Sequence, residues 1–132
     1  MKKIFFSLAC FIAFSFGVNA QTKAMQAAKI STPTVQCDMC KNRIEQYLKR
    51  IDGVTFVNVA VKRKETNVKF LTDRTNIEMI KAAIANAGYD VATSTSDNSQ
   101  PLQVEIAANP DSYKLLPKCC KKPEDGGGKP KQ

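Results

Sequence analysis

The chain has 132 residues, 20 Lys plus Arg against 12 Asp plus Glu, a formal charge of +8, five Cys, no His and no Trp. That length is about one domain's worth and excludes a large multidomain enzyme. The lack of His excludes Ser-His-Asp and Cys-His nucleophile pairs and every mixed Cys/His zinc site, which leaves thiols as the main reactive groups.

Met1-Lys2-Lys3 is a short positive start, and Ile4 to Val18 is an apolar run of 15 residues. Val18-Asn19-Ala20 then places modest residues ahead of Gln21. Residues 1–20 therefore read as a secretory signal peptide cut after Ala20. The run is short for a membrane helix, which needs about 20 residues, so an uncleaved anchor is disfavoured. Cys10 follows Lys3 too closely to be a lipoprotein cysteine and is discarded with the signal. Cleavage leaves 112 of the 132 residues, with 18 basic against 12 acidic, and four Cys: Cys37, Cys40, Cys119 and Cys120. The expected location is periplasmic or secreted, with no membrane-spanning segment left, and such a compartment permits disulfides.

Residues 21–29 form a polar, Ala-rich lead-in. Ile30 to Gln36 reads as a strand, with Pro33 favouring an edge position. Asp38 to Ile51 reads as a helix, with Ile44, Leu48 and Ile51 on one face and Lys41, Arg43, Lys49 and Arg50 on the wet side. Asp38 is its natural N-cap, and Asp52-Gly53 stops it. Val54 to Lys62 alternates through Val57, Val59 and Val61 as a strand, Arg63 to Thr66 turns, and Asn67 to Leu71 returns as a strand. Thr75-Asn-Ile-Glu78 fits a capping box for a helix running to Ala87, which Gly88 ends. Tyr89 to Ala92 begins a last strand.

The order is βαββαβ. It predicts an α+β ferredoxin-like sandwich, with a four-stranded antiparallel sheet and both helices on one face. Residues 97–120 form a C-terminal extension in which Leu102, Val104 and Ile106 alternate as one more candidate strand. Asn109-Pro110-Asp111 starts a short helix through Leu115, and Cys119-Cys120 follows, bracketed by Pro117 and Pro123. Residues 121–132 contain no apolar residue to bury and are expected to be disordered.

The candidate site is Cys37-Asp38-Met39-Cys40. Two Cys three apart sit where a strand gives way to a helix, where unpaired amides and the positive dipole end favour thiolate. Soft sulfur donors without imidazole or carboxylate select thiophilic ions. Two sulfurs suit the low coordination numbers of Cu(I) and Hg(II), whereas Zn(II) prefers four ligands; Cd(II) completes the candidates, with Cu(I) foremost.

Cys37-x-x-Cys40 followed by Arg43-Ile44-Glu45, Asp52-Gly53-Val54, the alternating Val57 and Val59, and Ile80-x-x-x-Ile84-x-x-x-Gly88-Tyr89 resembles the heavy-metal-associated domain. That family includes copper chaperones, N-terminal modules of copper-pumping ATPases and periplasmic mercury-binding protein. The resemblance spans about half the chain, and residues 30–96 are taken as this domain. It implies that Cys37 and Cys40 ligate the ion, that Tyr89 packs under the metal loop, and that the partner is a metal-transporting ATPase or other metal-transfer protein. Val35, Gln36 and Met39 depart from the family pattern and leave the ion's identity open.

Several rival readings exist. The Cys pair can be a plain disulfide, or the centre of a thiol-disulfide redox protein, which usually needs a parallel βαβ core and a facing cis-Pro. The charge and element order also fit an RNA-recognition domain, but the aromatic pattern is missing from Lys64 to Phe70, so no nucleic-acid partner is expected. Cys119 and Cys120 have four readings: added ligands of a four-sulfur site, a protective redox pair, a staple of tail to domain, or exposed thiols with no set role. The expected function is an exported protein that holds one thiophilic ion through Cys37 and Cys40 for transfer or sequestration, without catalysis.

Overall fold

The computed structural model describes residues 24–92 and 103–127. The expected signal peptide, Cys10, Leu102 and residues 128–132 lie outside them. Strands β1 (Met25–Ser31), β2 (Val54–Ala60), β3 (Glu65–Leu71), β4 (Val91–Ala92) and β5 (Val104–Ile106) alternate with helices α1 (Asp38–Lys49), α2 (Ile77–Asn86) and α3 (Pro110–Lys114). The strands form one sheet in the order β2-β3-β1-β4-β5, and every neighbouring pair is antiparallel.

The core follows from two periods. On β3, Thr66, Val68 and Phe70 point inward while Lys69 is exposed; β2 answers with Val57 and Val59, and β1 with Ile30. Helix α1 buries Ile44 and Leu48, and α2 buries Ile80 and Ile84. The apolar residues among these belong to one cluster, so both helices cover the same face of the sheet. Full burial of each such aliphatic side chain favours the fold by about 1.5–3 kcal/mol. One polar pair sits in this layer, Thr32 and Thr66, whose hydroxyls lie 3.2 Å apart and satisfy each other.

The structure corrects the expected sheet in two places. It has five strands rather than four, because β5 pairs with β4 (Val91↔Ile106, Ala92↔Val104) and covers what would otherwise be an open edge. The first strand begins at Met25, inside the expected lead-in, and ends before Pro33. Its full register, Met25↔Leu71 to Ser31↔Glu65, supplies hydrogen-bond partners that outweigh the helical preference of its Ala residues. Pro33 lies in the turn beyond the strand, where its missing N–H costs no ladder bond; β1 itself is central, not an edge.

The helix starts also differ. Cys37, not Asp38, is the N-cap of α1; its backbone is extended (φ −147°, ψ 172°) and its side chain caps nothing. Asn76, not Thr75, caps α2, accepting a hydrogen bond from the Met79 amide at 2.9 Å. Arg43, expected on the wet side, is half-buried and donates through Nε to the Ala87 carbonyl at 3.0 Å, tying α1 to the end of α2. Among the described residues, no helix is long and apolar enough to cross a membrane.

Candidate metal centre

The site is built on the first turn of α1. Cys37 is its N-cap and Cys40 lies one turn in, fully buried. The Cys37 carbonyl accepts from the Lys41 amide at 3.1 Å, the first bond of the helix, which holds the loop against it. The two sulfurs lie 3.3 Å apart.

Cys119 and Cys120 join them. Cys120 Sγ is 2.7 Å from Cys40 Sγ and 3.7 Å from Cys37 Sγ. The sulfurs of Cys37, Cys40 and Cys120 all lie within 4.8 Å of one another. Cys119 Sγ is 3.4 Å from Cys37 Sγ and 3.6 Å from the Met39 thioether. The structure thus brings all four candidate cysteines together, and all four are free thiols.

The thiols are not equivalent. Burial pushes Cys37 up, but hydrogen bonds with the Cys40 amide and with the thiols of Cys40, Cys119 and Cys120 hold it below its ordinary value. Burial is also the main influence on Cys119 and Cys120, and there it prevails: both are pushed up, with hydrogen bonds to Cys37 and Cys40 adding to the rise. Cys37, at the helix mouth, therefore gives up its proton more readily than Cys119 and Cys120 beside it.

Tyr89 lies under this cluster, completely buried. Burial first, then the Cys120 and Cys40 sulfurs beside it, raise its pKa, so the phenol keeps its proton. Its hydroxyl makes no well-formed hydrogen bond; the sulfurs of Cys120 and Cys40 are the acceptors it faces. A buried donor left unpaired costs about 1–3 kcal/mol.

The local pattern matches known proteins. A family model described as "Heavy-metal-associated domain" matches residues 30–90. The chain is 34% identical over 62 residues to the copper chaperone CopZ of Staphylococcus haemolyticus, an alignment covering 47% of this chain and 91% of that protein. The chain belongs to the heavy-metal-associated domain family. It is also 30% identical over 89 residues to the periplasmic component of the mercuric transport protein of Serratia marcescens, covering 67% of this chain and 93% of that one. The crystal structure of oxidized MerP from Ralstonia metallidurans superposes with a TM-score of 0.52 at 25% identity, covering 55% of this chain and 100% of that one.

Cys119 and Cys120 come from beyond the segment that matches the heavy-metal-associated domain. Three consecutive residues of that domain dock the extension that carries them. Gly88 has φ +100°, and a Cβ there would meet the Ser112 carbonyl carbon and the Tyr113 nitrogen at 3.2 Å and Leu116 Cγ at 3.3 Å. Tyr89 backs Cys120. Asp90, 6% exposed, accepts from the Ala108 amide at 2.8 Å and pairs with Lys122 Nζ at 2.9 Å. Further along, Gln36 donates to the Lys121 carbonyl at 2.8 Å, and the Tyr113 hydroxyl accepts from the Lys122 amide at 2.8 Å while donating to Asp125 at 2.5 Å.

Residues 121–127, expected to be disordered, are therefore placed against the domain, with Pro123–Asp125 in a short 3-10 turn. Polar contacts hold this segment where an apolar anchor is lacking. Sequence reasoning named all four sulfurs but missed the Gly88-Tyr89-Asp90 dock, because its contacts join residues 18 to 32 positions apart. The adjacent Cys pair between two prolines was the available signal.

Proposed function

We propose that the protein binds one thiophilic metal ion through Cys37 and Cys40 and either passes it on by ligand exchange or sequesters it. The observation that carries this reading is the approach of the two sulfurs at the start of α1, 3.3 Å apart on a chain with no His. Membership of the heavy-metal-associated domain family supports it, as do relatives named as a copper chaperone and as a mercuric transport component. Cu(I) is the first candidate because soft sulfur donors without imidazole favour it; Hg(II), Zn(II) and Cd(II) follow. The receiving partner is a second thiol-bearing protein, a metal-transporting ATPase or another metal-transfer protein. An exported, periplasmic or secreted, location follows from the signal-like first 20 residues. The chemistry is coordination, and no bond is made or broken in an organic substrate.

The test is titration of the reduced chain with Cu(I) against a competing chelator. Cys37→Ser and Cys40→Ser should each weaken binding by about 10- to 100-fold or more, since loss of a group that merely supports a ligand already has that effect. Two single variants that bind as tightly as the parent would refute the assignment.

A further inference from the structure

We infer that Cys120 is a third ligand, so that the C-terminal extension closes over the ion held by Cys37 and Cys40 and retains it. The inference rests on the reading that those two residues hold the ion, and goes beyond it.

Geometry places a third sulfur within reach of an ion held by Cys37 and Cys40. With a metal–sulfur bond of about 2.3 Å, a linear two-coordinate ion needs its sulfurs about 4.6 Å apart, whereas a trigonal ion needs about 4.0 Å. Cys37 and Cys40 stand 3.3 Å apart, and Cys120 stands 3.7 Å and 2.7 Å from them. A trigonal site requires the smaller opening of Cys37 from Cys40 and leaves Cys37 and Cys120 close to their present separation, while Cys40 and Cys120 part by about 1.3 Å. Cys120 is 1% exposed and Cys40 is fully buried, so the third sulfur belongs to the inner layer with Cys40. Cys119 is more open, and with the exposed Met39 thioether 3.6 Å away it forms an outer pair of soft atoms on the solvent side.

The buried Tyr89 hydroxyl is a second, independent sign of a ligand here. It faces the Cys120 and Cys40 sulfurs and makes no well-formed hydrogen bond to either. A neutral thiol is a weak acceptor, and a metal-bound thiolate is a strong, charged one. Each thiol that becomes a ligand gives its proton to solvent as its sulfur–metal bond forms. A Cu(I) ion on three thiolates then carries a net charge of −2, part of which the phenol O–H accommodates. The segment bearing Cys120 is fixed at Gly88, Tyr89 and Asp90, so the third sulfur is held in place before the ion arrives, and release of the ion requires its displacement.

The experiment loads the full-length, reduced chain with one equivalent of Cu(I) and counts bound sulfurs by X-ray absorption. Three are expected in the parent and in Cys119→Ser, and two in Cys120→Ala. Cys120→Ala should also lose the ion to a competing thiol at about 10-fold lower competitor concentration, a free-energy difference of about 1.4 kcal/mol. A count of two in the parent overturns the inference, whatever the variants do and even where Cys120→Ala folds poorly. So does a count that falls with Cys119→Ser and not with Cys120→Ala. Both outcomes leave the Cys37–Cys40 reading standing, whereas a parent chain that binds no Cu(I) removes that reading first.

Discussion

Gly88 answers two demands at once. Its positive φ closes the end of α2, a conformation that favours glycine. Its bare Cα also lets the Ser112–Leu116 stretch approach to within 3.3 Å of where a Cβ would stand. The first demand was legible, because a Gly after a periodic apolar helix is a stop signal. The second was not, because its partners lie more than twenty residues downstream and carry no motif. Gly88→Ala is expected to destabilise the protein by about 1–3 kcal/mol, combining strained backbone with a crowded contact. Chemical denaturation measures this, and an unchanged midpoint with an unchanged slope would contradict the packing described for the extension. The same logic explains why Cys37 and Cys40 were legible while the role of Cys120 was one of four readings. The first pair is three residues apart on one helical turn, and Cys120 reaches Cys40 across 80 residues.

Among elements, α1, α2, β2 and β3 were legible because each has an apolar period that matches its geometry: three- and four-residue steps in the helices, alternation in the strands. The β1 boundary was not, since Met25 to Lys29 has no apolar alternation and is extended only through its pairing with β3. The helix starts were misplaced by a single residue each, for a common reason. Asp38 and Thr75 are good capping types, but the chain turns into the helix one residue earlier at Cys37 and one later at Asn76, and only the residue with extended backbone can cap. This distinction is measurable on α2. Asn76→Ala should cost about 1 kcal/mol by loss of its bond to the Met79 amide. Glu78→Ala should stay within about 0.5 kcal/mol, because Glu78 makes only an exposed pair with Lys81 at 3.3 Å. Equal losses from the two variants would restore the capping box.

For the whole molecule, the sulfur cluster links stability to pH in a direction that can be worked out. Burial keeps Cys119, Cys120 and Tyr89 protonated in the folded chain beyond the pH at which they would ionise when unfolded. Unfolded thiols lose their protons near pH 8.5 and phenols near about 10. Above those values the unfolded chain binds fewer protons than the folded one, so rising pH favours unfolding. Cys37 acts the other way: its lowered value adds stability as pH rises toward that of an unfolded thiol, and adds nothing more beyond it. One lowered thiol against three raised groups leaves a net loss on the alkaline side. The reduced, metal-free protein should therefore melt at a lower temperature at about pH 10 than at about pH 8, measured by calorimetry in a chelating, reducing buffer. Cys120→Ala should shrink the difference by removing one raised group. Loading with Cu(I) should shrink it further, since thiolates on the ion have already released their protons, and an ion at about 100 times its dissociation constant adds about 2.7 kcal/mol of stability. A metal-free melting temperature that does not fall between about pH 8 and about pH 10 would mean that Cys120 and Tyr89 ionise as freely in the folded chain as in the unfolded one, and that the cluster is open to water.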